Sequence, residues 1–183
     1  MSRKKIIIAV VGMAGAGKTS CCQYLIKQGF ASLRFGDETD LGLEALGLSL
    51  TEGNERKYRE NLRKELGMAA YAIKIKPRIE KTLKTHDKIV LDGLYSWEEY
   101  VYLKKSFPHL ITLCIYTQRD IRYQRINSRK IRALTLREAE ERDVAELINL
   151  HKGSAIALAD YLIINNGSVE ELDKNLKQFL GKL

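Results

Sequence analysis

Only three cysteines and three histidines occur among the 183 residues. Cys21, Cys22 and Cys114 stand at no metal-binding spacing, and adjacent cysteines rarely pair with each other, so neither a zinc site nor a disulfide framework is indicated. His86, His109 and His151 are scattered and add no ligand pattern. No run of about 18 apolar residues occurs, which argues against a membrane-spanning helix. The amino-terminal Met1-Ser2-Arg3-Lys4-Lys5 is basic, but the apolar stretch that follows is too short for a signal peptide. A cytoplasmic protein with reduced thiols is expected. Repeats, low-complexity tracts and linkers are also missing, which predicts a single domain over 1–183 with a substantial core. Nothing in the sequence fixes an oligomeric state.

Acidic residues are in deficit: 23 Asp and Glu against 31 Lys and Arg, a net charge of +8. Such a surface draws polyanions. An RNA-binding sheet would interleave aromatic and basic residues, and that pattern is absent, so a small polyanionic ligand is favoured over nucleic acid.

The strongest positive signal is Gly12-Met13-Ala14-Gly15-Ala16-Gly17-Lys18-Thr19, directly after the apolar run Ile6–Val11. This is a glycine-rich phosphate-binding loop between a strand and a helix. Its backbone amides wrap phosphate oxygens, helped by the positive end of the helix. The nucleotide-binding set is therefore Gly12, Ala14, Gly15, Ala16, Gly17, Lys18, Thr19 and Ser20. Lys18 is expected to reach the β- and γ-phosphates and to offset charge during phosphoryl transfer. Thr19 is expected to place its hydroxyl on Mg²⁺. ATP and Mg²⁺ are the implied cofactors.

Strands and helices alternate along the rest of the chain, which predicts a layered α/β fold. Strands are expected at 6–11, 31–35, 88–91, 110–116 and 161–164. Helices are expected at 19–28, from Thr51 or Asn54 to Leu66, across 68–83 with a kink at Pro77, after Ser96, from Thr135 to about Leu150, and after Ser168. Ser96-Trp97-Glu98-Glu99, Thr135-Leu136-Arg137-Glu138 and Ser168-Val169-Glu170-Glu171 are capping boxes.

Two carboxylates stand at strand ends. Asp92 closes the third strand beside the loop, where it would order Mg²⁺-bound water; a turn-forming Asp-Gly is the competing reading. Asp37 follows the second strand and would orient an acceptor hydroxyl or take its proton; a turn or helix cap is the alternative. Arg119, Arg122, Arg125, Arg129, Arg132 and Arg137 crowd into nineteen residues. Arg122, Arg125 and Arg129 share a helical face, and like charges so stacked suit a bound polyphosphate. Arg125 and Arg129 are the candidate catalytic arginines, and 127–137 is a candidate lid that excludes water. A solvated basic face is the plainer reading of the same cluster. Thr117-Gln118-Arg119-Asp120 distantly resembles a guanine-reading element, but the lysine is replaced and no Asp-x-x-Gly switch follows the third strand. Asn165 and Gly167 lie after the last strand, within reach of a base; a tight turn explains them as well. Arg56, Arg59 and Arg63 could hold an acceptor phosphate or simply face water. Tyr58, Leu62 and Tyr71 could line an acceptor pocket, or belong to the core.

The order of elements resembles the nucleoside monophosphate kinase group of P-loop proteins over nearly the whole chain. Within it the sequence is most similar to the dephospho-CoA kinase-like family. The second half carries this resemblance in Gln124-Arg125-x-x-x-Arg129, in Arg142, and in Ala159-Asp160-Tyr161-Leu162-Ile163-Ile164-Asn165-x-Gly167-Ser168. In the first half the matching pieces are Phe35-Gly36-Asp37, Leu62-Arg63-x-Glu65-x-Gly67-Met68 and Leu91-Asp92-Gly93. The resemblance implies a five-stranded parallel sheet of order 2-3-1-4-5 and an ATP-dependent phosphotransferase. Its acceptor would be dephospho-CoA or a nucleoside monophosphate. It also implies that 38–85 is a helical acceptor-side insertion, with Asp37 and Arg63 facing the acceptor and the lid arginines facing ATP. Two departures concern the acceptor. Many relatives continue Asp-Gly with an arginine, and here Leu94-Tyr95-Ser96 follows. The family's Asp-x-Asp near the second strand is also missing. An ATP-binding regulatory protein without a small-molecule acceptor is the other reading these departures allow.

Overall fold

The computed structural model describes residues 5–130 and 133–183. Five strands, β1 (Ile6–Val11), β2 (Ala31–Arg34), β3 (Lys88–Asp92), β4 (Ile111–Tyr116) and β5 (Tyr161–Ile164), form one sheet. The order is β2-β3-β1-β4-β5 and every pairing is parallel. Nine helices are seen among the described residues. They are α1 (Lys18–Lys27), α2 (Asp37–Ala45), α3 (Glu52–Leu66), α4 (Ala70–Thr82), α5 (Trp97–Ser106), α6 (Arg119–Asn127), α7 (Leu136–Asn149), α8 (Lys152–Ala157) and α9 (Val169–Leu180).

β1 shows why the sheet is covered on both faces. Ile8 and Val10 pack with Cys21, Leu25, Leu172, Leu176 and Phe179, the inward residues of α1 and α9. Ile7, Ala9 and Val11 point the other way, against Ile75, Ile79 and Leu103 of α4 and α5. A strand buried on both sides has no polar face to alternate with, so it reads as a continuous apolar run.

The expected capping boxes at Ser96, Thr135 and Ser168 all form, each side-chain oxygen accepting from the N3 amide. Thr51, not Asn54, caps α3 by accepting from the Asn54 amide. α4 runs through Pro77 without ending. Pro77 itself lies on the exposed face of the helix.

Two helices were not delimited by the sequence pattern, although the resemblance implied that 38–85, and so most of α2, is helical. α2 is interrupted in sequence by Gly42, which hid its periodicity. A Cβ there would run into the Tyr58 ring, so glycine is what lets α3 pack against α2. α8 has six residues, too few to display a helical period. No helix among the described residues is long and apolar enough to cross a membrane.

Candidate functional site at the carboxyl edge of the sheet

The loop between β1 and α1 sits at the carboxyl end of the central strand, the usual ligand position in an open parallel sheet. Gly17 caps α1 in a left-handed conformation (φ 99°), and a Cβ there would collide with the Asn165 amide. Two of the loop's carbonyls are held by side chains from outside it. Ala16 O accepts from Thr117 Oγ1 at 3.0 Å and from Asn165 Nδ2 at 2.8 Å. Ala14 O accepts from Arg122 at 3.0 Å. The first helical bond is Cys21 N–H to Gly17 O at 3.0 Å, so the amides of Lys18, Thr19 and Ser20 precede the ladder, as at any helix start. Fixed carbonyls on one side and amides before the ladder on the other make an anion cradle.

Lys18 Nζ donates to Gly12 O at 2.9 Å and to Met13 O at 3.0 Å, folding the side chain back over the loop. Burial first, and Lys152 after it, lower its pKa to about 8, while Glu146 and Asp92 act in the opposite sense. The last three residues place β3, α7 and α8 around the same ammonium group. Asp92 pairs in register with Val10 of β1, which sets its carboxylate at the mouth of the loop. Thr19 is exposed and Asp92 half-buried. Among the described residues no group of three or more His, Cys, Asp or Glu could hold a metal. One hydroxyl and one carboxylate are hard oxygen donors and too few for an all-protein cage. They fit Mg²⁺, which keeps waters and takes its remaining ligands from phosphates.

The arginines separate into different jobs. Arg122 is buried and does not point at a phosphate site. It makes a two-pronged pair with Asp143 of α7, with one contact at 3.0 Å, and the Tyr123 hydroxyl joins at 3.2 Å. The expectation that Arg122, Arg125 and Arg129 act as one polyphosphate-facing row is thus corrected for Arg122: the sequence could not show that α7 brings a carboxylate to it. Arg125 donates to Asn165 O at 2.9 Å and Gly167 O at 3.0 Å, bracing the loop after β5. Arg129 is exposed. Arg119 lies beside Asp120 at 3.7 Å, with both side chains largely in solvent. Arg132, and with it part of the candidate lid 127–137, lies outside the described residues.

Asn165, read as a base contact, is buried with its amide bonded to the phosphate loop. Its side chain fastens two loops together, and Gly167 beside it offers its carbonyl to Arg125. Asp37 is the first residue of α2, paired with Arg78 at 3.2 Å and Arg34 at 3.7 Å. Leu62 and Tyr71 belong to the core, and Tyr58 packs against it. Tyr71 also exchanges a 2.7 Å hydrogen bond with Thr39. Arg63 lies over the Tyr71 ring, 5.4 Å from its centroid. Its Nε is buried and has no hydrogen-bond partner. Glu99 is buried nearby and accepts from the Tyr95 and Ser96 amides at 2.8 and 3.1 Å. Burial raises its pKa to about 7 against the pull of those amides and of Arg63.

Of a further charged group, the sequence pointed to Arg142 and missed Glu146 and Lys152. Glu146 accepts from Lys152 at 2.7 Å and from Arg142 at 3.1 Å. Lys152 is 1% exposed and stands 5.2 Å from the Tyr95 ring centroid. Glu146 and Arg142 are one turn apart on α7, a spacing that was visible; Lys152 carried no periodic mark at all.

The chain matches the family described as an AAA domain over residues 8–149. A UPF0200 protein of Thermococcus kodakarensis is 33% identical over 182 residues, covering 97% of this chain and 98% of that protein. A UPF0200 protein of Methanocaldococcus jannaschii is 31% identical over 184 residues, covering 97% and 92%. Among solved structures, a Thermus thermophilus protein superposes with a TM-score of 0.69 at 20% identity, over 99% of both chains. Shikimate kinase from Bacteroides thetaiotaomicron gives 0.62 at 13% identity, over 96% and 98%. Dephospho-CoA kinase from Campylobacter jejuni gives 0.56 at 16% identity, over 97% of both. At these identities the likeness is one of fold, and the fold is that of the P-loop kinases.

Proposed function

The chain belongs to the AAA-domain family and to the UPF0200 proteins, and from its site we propose that it is an ATP-dependent, Mg²⁺-requiring phosphotransferase acting on a nucleotide-like small molecule. The observation that carries this reading is the position of Lys18. It is held against the phosphate loop, and Asp92, Arg142, Glu146 and Lys152 all lie close enough to act on its charge. A loop built only to bind nucleotide needs the amides and Lys18; charged residues from three further elements suit a site where phosphoryl charge moves.

In the proposed reaction an acceptor oxygen bonds to the γ-phosphorus as the bond to the β–γ bridging oxygen breaks, giving ADP and a phosphorylated acceptor. The acceptor's proton leaves to a nearby base or to water. Bound Mg²⁺ would neutralise charge on the β- and γ-phosphates, with Thr19 and Asp92 holding it directly or through water. Lys18 follows the γ-phosphoryl group, and the amides of Ala14 to Ser20 fix the chain of phosphates. Arg125 and Asn165 keep the loop after β5 in place to receive the base, with Gly167 at its edge. Arg129, exposed at the start of the 127–137 lid, reaches the donor when that lid closes. Residues 38–85 form the acceptor side with Asp37 just before them; Arg63 has a buried, unpartnered Nε there, and the Asp37 carboxylate is held by Arg78 and Arg34. Dephospho-CoA and nucleoside monophosphates are the acceptors of first choice, in the cytoplasm.

One observation favours a second reading, an ATP-binding regulatory protein with slow hydrolysis. Leu94, where an acceptor-gripping arginine would begin, is buried in the core and carries no charge. Calorimetric titration with ATP, with and without Mg²⁺, tests the shared premise. Micromolar binding that is strengthened by Mg²⁺ and lost in Lys18→Ala supports it; no binding to the parent protein overturns both readings.

A further inference from the structure

A buried lysine is unusual, because removing an ammonium group from water costs several kcal/mol unless its charge is used. Lys152 is 1% exposed and is placed with care. His151, immediately before it, is left-handed (φ 49°, ψ 34°), the only non-glycine residue with positive φ among the described residues. The turn is pinned to the start of α5, where the Trp97 amide donates to Leu150 O at 3.3 Å and His151 Nδ1 lies 3.2 Å from Glu98. This strained, anchored turn sends the Lys152 side chain inward, past the Tyr95 ring, to Glu146.

The charges do not balance there. Lys18, Lys152 and Arg142 bring three positive charges, and Asp92 and Glu146 bring two negative ones. Glu146 is shared, taking Lys152 at 2.7 Å and Arg142 at 3.1 Å. Lys152 acts on Lys18 strongly enough to be the largest influence on its pKa after burial. Two ammonium groups that repel each other across a protein interior are stabilised by an anion between them. The excess cation also enters from the side of Tyr95, where the strand-three loop supplies none.

We propose that Lys152 is a second phosphate-binding cation of this site, contacting the γ-phosphoryl group of the bound nucleotide from the face opposite Lys18. This rests on the phosphotransferase reading and adds a residue to it. The Lys152 contact is with the phosphoryl group that moves, so it distinguishes ATP from ADP.

The test is the ratio of ATP to ADP affinity, measured by calorimetry with Mg²⁺ in the parent, in Lys152→Met and in Lys152→Arg. Lys152→Met should weaken ATP at least tenfold more than ADP, and Lys152→Arg should recover part of the loss. Because Lys152→Met strands a buried carboxylate, Lys152→Met combined with Glu146→Leu removes both charges and keeps the fold. The same tenfold change in the ratio is expected in this double variant. An unchanged ratio in a folded variant overturns the role of Lys152 while leaving nucleotide binding intact. Failure of the parent to bind either nucleotide overturns the phosphotransferase reading itself, and this inference with it.

Discussion

Arg122 of α6 and Asp143 of α7 meet in a buried two-pronged ion pair, and the same guanidinium donates to Ala14 O of the phosphate loop. The pair therefore fixes the loop and joins it to the two helices that flank the candidate lid. Removing one member would leave the other charged and uncompensated. Arg122→Met should cost about 3–5 kcal/mol of stability, whereas Arg122→Met with Asp143→Leu should be far milder. Urea denaturation of the two variants checks this; equal losses would mean that the pair is not what holds the helices.

Lys18 carries the charge-offsetting role. Lys18→Ala should lower acceptor-dependent phosphoryl transfer by more than about 100-fold, the scale for losing one preorganised donor. Steady-state ATP turnover within threefold of the parent would refute the assignment.

The same residue sets a pH dependence. Its pKa in the free protein lies at about 8, pressed down by burial and by Lys152. A bound polyphosphate favours the charged form and raises that value. ATP affinity should therefore be flat below pH 8 and fall as pH rises above it, with proton uptake on binding in that range. Titrations at pH 7 and 9 in buffers of different ionisation enthalpy measure both quantities. Proton release, or affinity that rises above pH 8, would contradict the placement.

Arg125 is engaged with carbonyls at the base end of the site. Arg125→Ala should weaken ATP and ADP equally, by roughly tenfold, the worth of one charge-assisted hydrogen bond. If nucleotide affinities stay unchanged and only turnover falls, Arg125 is instead a donor to the transition state, as its sequence position suggested.

Glu99 makes stability depend on pH. Burial raises its folded pKa from 4.5 to about 7, so the folded state holds a proton that the unfolded chain releases. The stabilisation is complete below about pH 4.5 and is lost as pH rises through about 7. Its size is on the order of 3 kcal/mol. Glu99→Gln should shrink the difference in urea stability between pH 5 and pH 8; a difference as large as the parent's would show that another group titrates.

The fold was legible where local signals are strong. The apolar run of β1, the glycine loop and three capping boxes each have a mechanism that acts within a few residues. What was not legible depends on partners distant in sequence. Arg122 looked like one of a row of phosphate-binding arginines because Asp143 is 21 residues away, on a helix whose packing no periodicity reveals. Asn165 looked available to a base because its partner, Ala16 O, is 149 residues away. Lys152 was overlooked because α8 is short and a single lysine after a helix reads as surface. In each case the residue type was plain, and tertiary contact decided its use.

The proposed function stands or falls with phosphoryl transfer to a small acceptor. The most direct measurement is Mg²⁺-dependent ATP consumption by the purified protein across dephospho-CoA, ribo- and deoxyribonucleoside monophosphates and nucleosides, against a blank without acceptor and a Lys18→Ala control. One phosphate-bearing acceptor should stimulate consumption, and the Lys18→Ala control should abolish it. Slow hydrolysis that no acceptor stimulates, with ATP still bound, would contradict the proposed function and leave the regulatory reading in its place.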